Sequence, residues 1–183
     1  MEEIRVYCKN TNSYHFVKPG TKLIDFVKQV NCQTTTLQDK EGNKYVLPTL
    51  AAYIDNQLTE LSFSIYMPHS IEFLNFSNPD GRRTYMRSLF MVLQKAVYDL
   101  YPNKQLVIDY SLPNGSYAEI TDIPRSDTAS DSIENRINNV MDVTEEQVYA
   151  IKKKMQEIID ADYPIVKHKF CNQDAVNLFL SHH

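Results

Sequence analysis

The first 79 residues alternate short strand patterns with a single helix pattern, and this order restricts the folds open to the chain. Residues 2–8 alternate charged and apolar side chains, as a half-buried strand does, and residues 12–18 alternate again after the turn KNTN. The segment PGTKLIDFVKQV has the apolar spacing of a helix over residues 21–31, with Thr21 as its predicted N-cap. Further short strand patterns follow in KYVLPTLAAYIDNQLTEL and SIEFLNF. Hairpin, helix and further strands in this order predict a small ubiquitin-like β-grasp domain over residues 1–79.

A second domain is predicted over residues 80–183. The turn residues of NPDGRR mark the boundary, and residues 83–100 then repeat apolar side chains at helical spacing. A hairpin follows in QLVIDYSLPNGSYAEI, and a helix over 144–161 opens with the capping-box pair Thr144 and Gln147. We therefore predict an α+β protein whose second module packs helices on an antiparallel sheet. The predicted core of that module is Leu89, Leu93, Val97, Ile151, Met155 and Ile158.

Composition excludes several classes of protein. The net charge is −4 and both halves of the chain are slightly acidic, which disfavours a non-specific nucleic-acid binder with a basic face. No apolar run is long enough to span a membrane, and the N-terminus has no signal-peptide core. The three cysteines lack CxxC spacing, so neither a disulfide framework nor a zinc site is expected, and the thiols should be buried or half-buried. A cytoplasmic location is the expectation.

The helix pattern of residues 86–102, MRSLFMVLQKAVYDLYP, resembles a signature helix of threonyl-tRNA synthetase. In the second additional domain of that family the pattern is H-S-x-x-H-L-L-x-x-A, followed by a Leu-Tyr-Pro-like end. Ser88, Leu93, Ala96 and Leu100–Pro102 fall in step with it. NGSYAEI and residues 143–170 resemble the hairpin and helix that follow, and residues 1–79 resemble the TGS domain that precedes this module. The resemblance implies a TGS-like domain followed by a module like the synthetase editing domain.

The departures from the family pattern bear on chemistry. The family's two metal-site or editing histidines fall on Arg87 and Met91 here, and Ala175 stands where a Cys171-x-x-x-His element would place its histidine. Arginine does not lose its proton near neutral pH, and a thioether is a poor zinc ligand. We therefore expect no metal and no catalytic residue in this chain.

The same pairing of domains without the histidines resembles the N-terminal half of bacterial uridine or nucleoside kinases, whose helix reads R-S-L as at Arg87–Leu89. That resemblance implies a non-catalytic regulatory or ligand-binding region of a longer enzyme, with ATP and Mg²⁺ serving a downstream P-loop kinase domain. The four glycines here are too far apart to form such a loop. Two alternatives remain open: an RNA-associated relative of the synthetase editing region, and an oligomerisation module.

Five residues are candidates for ligand binding. Three arginines cluster near the start of the long helix, where they could bind the phosphate of a nucleotide or of RNA. They could instead be solvated residues paired with Asp80 or Glu119. Two hairpin residues are expected to line the same cleft, because the corresponding hairpin shapes the substrate pocket in the synthetase module. The candidates are Arg82, Arg83, Arg87, Tyr117 and Glu119. His15, His69 and His168 have no partner at metal-ligand spacing and are expected at the surface. The expected partners are a nucleotide or RNA, a downstream kinase domain and a second copy of the chain, with no membrane.

Overall fold

The structure is a computed structural model, and it describes residues 3–38, 40–113, 115–122, 140–163, 166 and 168–180. The fold is mixed α+β, as the sequence predicts, and the described residues contain four helices. The chain separates into two compact units, Met1–Met91 and Val92–His183. The separation falls inside a long helix, so the boundary at 79/80 remains a prediction from the turn residues. No helix among the described residues is both long and apolar enough to cross a bilayer.

The first unit has the strand and helix order of a β-grasp. Its elements are β1 (Ile4–Cys8), β2 (Ser13–Val17), β3 (Thr21–Lys22), α1 (Leu23–Gln29), β4 (Thr34–Gln38), β5 (Lys44–Pro48), β6 (Ala51–Ile54), β7 (Gln57–Thr59), β8 (Ser64–Ile65), β9 (Ser70–Leu74) and the first part of α2 (Pro79–Leu100). Five strands form one sheet in the order β2-β1-β9-β6-β7. Strand β1 runs antiparallel to β2 and parallel to β9. The pairs β3–β8 and β4–β5 form separate two-stranded sheets.

The core of the first unit lies between the five-stranded sheet and α1. Alternation along β1 buries Val6 and Cys8, while Arg5 and Tyr7 lie on the opposite face. The buried apolar side chains form one cluster. It comprises Val6, Cys8, Val17, Leu23, Phe26, Val27, Val30, Ala52, Ile54, Ile65, Ile71 and Phe73. The turn at Asp55 and Asn56, both with positive φ, connects β6 to β7.

The predicted start of α1 is wrong. Thr21 belongs to β3, and its hydroxyl donates to the Lys18 carbonyl instead of capping the helix. The N-cap position is Lys22, whose side chain makes no capping bond. The first helical N–H groups, of Leu23 and Ile24, donate instead to the carbonyls of Phe63 and Leu61 at 2.9 Å. A distant loop therefore satisfies the donors that a local side chain usually caps.

Helix α2 begins four residues earlier than predicted, at Pro79 rather than at 83. Proline fits the first helical position because it has no N–H to satisfy and its φ is already helical. The side-chain Oδ1 of Asn78 accepts the N–H of Asp80 at 2.9 Å, as an N-cap does. The residues of NPDGRR that predicted a turn are thus the cap and first turn of the helix.

The second unit contains the end of α2, the hairpin of β10 (Lys104–Leu112) and β11 (Gly115–Asp122), α3 (Glu145–Asp160) and α4 (Asn172–Leu180). Both bonds of the predicted capping box at Thr144 and Gln147 are present. The core consists of Ala96, Val97, Ile120 and Ile151, with Leu93, Tyr101, Leu106, Met141, Val143, Met155 and Ile158 partly buried around them. Five of the six predicted core residues are confirmed. The sixth, Leu89, is half-buried and belongs to the first unit.

The sequence further predicts a short helix in IENRINNVM, residues 133–141, and a strand in YPIVKHKF, residues 163–170, and each segment lies at least partly outside the described residues. The predicted short helix over 133–141 lies outside the described residues except for its last two, Val140 and Met141, which are not helical. The predicted strand over 163–170 lies partly outside them, and its described residues do not form a strand.

Candidate functional site

The three candidate arginines all lie on the first part of α2, in the first unit, but the structure gives them different surroundings. The Arg82 guanidinium lies 5.5 Å from the centroid of the Phe76 ring. Arg83 forms an ion pair with Asp80 one turn earlier. Arg87 is exposed and forms no ion pair with any described residue of the first unit. Neither Arg82 nor Arg87 forms an ion pair with a described residue of the unit, although the charge of Arg87 contributes to lowering the pKa of the Asp80 carboxyl.

Asp80 is the local counter-charge to these arginines. Its carboxylate accepts hydrogen bonds from the Tyr53 hydroxyl and from Arg83. These bonds, the tyrosine's first, lower the pKa of Asp80 below its ordinary value. The same bonds raise the pKa of Tyr53 and of Arg83. Asp80 thus stays ionised at neutral pH. It forms its ion pair with Arg83, and the charge of Arg87 makes a smaller contribution to lowering its pKa.

The Tyr53→Phe variant is expected to raise the pKa of Asp80 toward its ordinary value, because the largest cause of the shift is removed while Arg83 remains. A lowered folded pKa gives stabilisation that is present above the unfolded carboxyl pKa and is lost as the pH falls through the folded pKa. As the pH is lowered, the variant should therefore lose this stabilisation at a higher pH than the wild type does. A carbon-13 NMR titration of the aspartate carboxyls measures the shift. Tyr66→Phe, at a ring 70% exposed, is the control; an unmoved Asp80 titration in Tyr53→Phe would contradict the assignment.

Arg87 and Met91 lie one turn apart on α2, and both are exposed, Met91 by 56%. Residues at this spacing share a helix face, as two metal ligands on one helix would. An arginine and a thioether at these positions are not suited to bind zinc. Among the described residues no three His, Cys, Asp or Glu side chains are close enough to hold a metal ion.

The thiol of Cys171 is exposed, contrary to the expectation from sequence, and donates to Asp174 at 3.0 Å.

The hairpin candidates lie in the second unit. The Tyr117 hydroxyl donates to Glu119 Oε1 at 2.9 Å, which raises the pKa of Tyr117. The Tyr117 ring stacks on Tyr110 at a centroid distance of 4.9 Å and an interplanar angle of 13°. The structure thus brings Tyr117 and Glu119 together. A single cleft formed with the arginines of α2, and an Arg87–Glu119 pair, remain predictions.

Of the three histidines expected at the surface, His69 and His15 are instead partly buried and hydrogen-bonded. His69 Nδ1 lies 2.6 Å from Asp55 Oδ2, and its side chain is only 13% exposed. His15 hydrogen-bonds Ser13 Oγ at 2.8 Å, and its ring meets Phe26 edge-on. The alternation of β2 signals this position, since His15 and the buried Val17 share a face. His168 is exposed, as expected.

A polar cavity of about 370 Å³ in the first unit was not foreseen from the sequence. It contains amides, hydroxyls and one thiol but no ionisable acid or base from Asp, Glu, Lys, Arg or His. Its lining residues are Asn10, Asn31, Cys32, Thr34, Thr35, Thr49, Phe73 and Asn75. At least four of these side chains already form hydrogen bonds. The Asn10 amide bonds the backbone of Phe73, Thr49 donates to the Cys32 carbonyl, the Cys32 thiol donates to the Val30 carbonyl, and Asn75 accepts from Ser77. Burial and the neighbouring Cys8 raise the pKa of Cys32.

The protein thus consists of a β-grasp unit followed by an α+β unit. Its described residues contain no group of side chains that could hold a metal ion. No protein-family model matches the chain. The chain is similar to threonine–tRNA ligases. It is 26% identical to that of Symbiobacterium thermophilum over 138 residues, which are 75% of this chain and 19% of the ligase.

Two further ligases match more of the chain. Identity to the threonine–tRNA ligase of Ligilactobacillus salivarius is 27% over 83% of this chain and 21% of the ligase. Identity to that of Coxiella burnetii is 24% over 88% of this chain and 22% of the ligase. The chain spans about a fifth of the length of the curated relatives it matches, and the similarity is to their N-terminal region.

Proposed function

We propose that this chain is an RNA-associated relative of the N-terminal region of threonine–tRNA ligases, and that it binds the phosphates of a tRNA-like acceptor end without hydrolysing an ester. The observation that carries the proposal is the similarity, which covers 75–88% of this chain in three relatives named for tRNA. In our interpretation of the sequence pattern, Arg87 stands where the family has a histidine. Replacing a base or metal ligand by a permanent cation supports binding rather than hydrolysis.

Arg87 is suited to contact a phosphate. Its planar guanidinium donates two parallel hydrogen bonds to an anion, and it is exposed without an ion pair to a described residue of its own unit. The net charge of −4 argues for few phosphate contacts rather than a broad basic surface. Each contact contributes about −0.7 to −0.9 to the slope of log affinity against log salt concentration. A shallow salt dependence is therefore expected.

The Arg87→Ala variant is expected to bind an acceptor-stem minihelix about 10- to 150-fold more weakly, since hydrogen bonds to charged groups contribute about 1.5–3 kcal/mol. Fluorescence anisotropy of a labelled minihelix measures the affinity. Lys95→Ala is the matched control on the same helix, because Lys95 is already paired with Asp99 at 2.9 Å, and it should change affinity less than twofold. Equal affinities for wild type and Arg87→Ala would contradict the assigned role.

A second candidate is the regulatory region of a uridine or nucleoside kinase whose ATP and Mg²⁺ would be bound by a separate domain. The R-S-L match at Arg87–Leu89 and the uncharged cavity, which has room for a neutral nucleoside, favour it. The relatives named above are all ligases, so the comparisons favour the RNA-associated function. The third candidate, an oligomerisation module, predicts concentration-dependent sedimentation of the purified chain.

The chain alone is expected not to phosphorylate uridine with ATP and Mg²⁺, because its glycines never reach the spacing of a phosphate-binding loop. A coupled ADP-release assay with uridine and with cytidine measures turnover, and a preparation from cells lacking uridine kinase controls for contamination. Turnover that co-purifies with the chain in that background would contradict the prediction.

A further inference from the structure

The outward face of strands β1 and β2 carries a row of aromatic side chains. Alternation turns Arg5 and Tyr7 of β1 away from the core, and Tyr14 and Phe16 of β2 lie on the same outward face. Tyr14 is 58% and Phe16 62% exposed. Contiguous exposed apolar surface, when it is rimmed by polar groups, often marks an interaction site. We call this set of four residues the outer aromatic face.

Three of the four side chains of the outer aromatic face, Arg5, Tyr7 and Tyr14, contact one another across the strand pair. The register places Arg5 opposite Phe16 and Tyr7 opposite Tyr14. The Tyr7 and Tyr14 rings lie 5.0 Å apart at an angle of 52°, and the Arg5 guanidinium carbon lies 3.8 Å from the Tyr14 ring centroid. The Tyr7 hydroxyl also donates to Asn12 in the β1–β2 turn. These contacts hold Arg5, Tyr7 and Tyr14 in place on two paired strands, beside the exposed Phe16 ring.

The charge of Arg5 distinguishes between the ligands that could cover this face. Arg5 forms no ion pair with any described residue, whereas nearby Lys9 is paired with Glu72 at 3.3 Å. An apolar protein surface would bury the unpaired guanidinium of Arg5 at a cost in desolvation. A phosphate would pair with it, and a nucleobase has the flat face that stacks on Tyr14 and Phe16. The combination of one unpaired cation and adjacent rings therefore favours single-stranded nucleic acid.

We propose that the outer aromatic face binds a short single-stranded RNA segment, whose bases stack on Phe16 and on the part of the Tyr14 ring that Arg5 leaves exposed, while Arg5 contacts a phosphate. The proposal rests on the RNA association proposed above and adds a separate contact surface to it. It requires no sequence-specific readout, because every base presents a face that can stack. Strand β2 is an edge strand of the five-stranded sheet, so no further strand of that sheet covers the Phe16 side.

The chain contains no tryptophan, so a Phe16→Trp variant provides a single fluorescent reporter on this face. A hexauridine oligonucleotide is expected to quench the tryptophan on stacking, whereas an abasic ribose-phosphate oligomer of the same length is not. Tyr66→Trp, at an exposed site 70% accessible in another loop of the same unit, is the matched control and should stay unquenched. Tyr14→Ala should weaken hexauridine binding by about 5- to 150-fold, the range that stacking of one base supplies.

Several outcomes would overturn the inference. Equal quenching by the abasic oligomer would show phosphate binding without stacking, and hexauridine binding that leaves the Phe16→Trp fluorescence unchanged would place the site elsewhere. Concentration-dependent self-association that Phe16→Ala abolishes, with no effect of RNA, would identify a second copy as the occupant. Minihelix binding that is sensitive to Arg87→Ala but not to Tyr14→Ala would remove this surface and leave the proposed function intact. If Tyr14→Ala weakens hexauridine binding while Arg87→Ala leaves minihelix binding unchanged, the outer aromatic face stands and the role proposed for Arg87 is contradicted.

Discussion

The Phe26→Ala variant is expected to lose about 3–5 kcal/mol of the free energy of unfolding of the first unit. Phe26 is fully buried between α1 and the sheet. Its ring centroid lies 5.8 Å from that of Phe73 and 5.8 Å from that of His15. Truncation removes both contacts and leaves a cavity that the paired strands cannot close. Since small domains are stable by only about 5–15 kcal/mol, a large part of the unit's stability would be lost.

Hydrogen exchange followed by mass spectrometry can assign this loss to one unit. Amides of β6 should exchange much faster in Phe26→Ala, whereas those of β10 and β11 in the other unit should keep the wild-type rate. Ile24→Ala is the control, because Ile24 is on the same helix but 44% exposed. If the two variants destabilise equally, Phe26 is not at the centre of the core as the structure places it.

The fold of the first unit could be predicted because its patterns are local. Strict alternation in β1 and β2, and helical spacing at Leu23, Phe26 and Val27, specify which faces are buried without knowledge of the neighbours. The start of α1 could not be predicted in this way. Its first donors bond to the carbonyls of Leu61 and Phe63, almost forty residues along the chain, and no local side chain records that contact.

The surroundings of the candidate arginines could not be predicted either, because they depend on contacts between residues that are distant in sequence. The sequence groups Arg82, Arg83 and Arg87, but their separate environments arise from side chains that come from elsewhere in the fold or the preceding loop. Asp80 is oriented by the Tyr53 hydroxyl, 27 residues away, and a local pattern does not contain that pairing. Arg83 is then held by Asp80 in an ion pair, whereas Arg87 forms no ion pair with a described residue of the unit and acts on Asp80 through its charge alone.

The outer aromatic face illustrates the opposite case. Its members are visible in the same alternation that predicts β1 and β2, since the residues between the buried ones are aromatic or basic. Alternation alone assigns such positions to solvent and gives no reason to single them out. The strand register and the position of the Arg5 guanidinium over Tyr14 are needed before the face can be interpreted as a binding surface.

The Gly81→Ala variant is expected to destabilise the first unit by at least about 1–3 kcal/mol, although alanine is normally the better helix former. A Cβ atom at Gly81 would lie 1.9 Å from the carbonyl oxygen of Asn75 and 2.7 Å from its carbonyl carbon. Both are backbone atoms. Asn75 is held in place because its carbonyl accepts from the N–H of Asn78 at 3.1 Å and its side chain accepts from Ser77. The helix start would have to move away from this turn.

The sign of the effect makes the Gly81→Ala experiment decisive. In an open helical position the replacement of glycine by alanine would stabilise the protein by about 0.5–1 kcal/mol, so destabilisation reports the contact with Asn75. Urea unfolding monitored by circular dichroism measures the change. Gly115→Ala is the matched control, because a Cβ there would meet no atom within 4 Å, and its stability should stay within about 0.5 kcal/mol of wild type. Displacement of the helix start should also disturb the Tyr53–Asp80 hydrogen bond, so the carboxyl pKa of Asp80 should rise in Gly81→Ala and not in Gly115→Ala. A stabilised Gly81→Ala protein with an unchanged Asp80 titration would show that α2 does not start against Asn75.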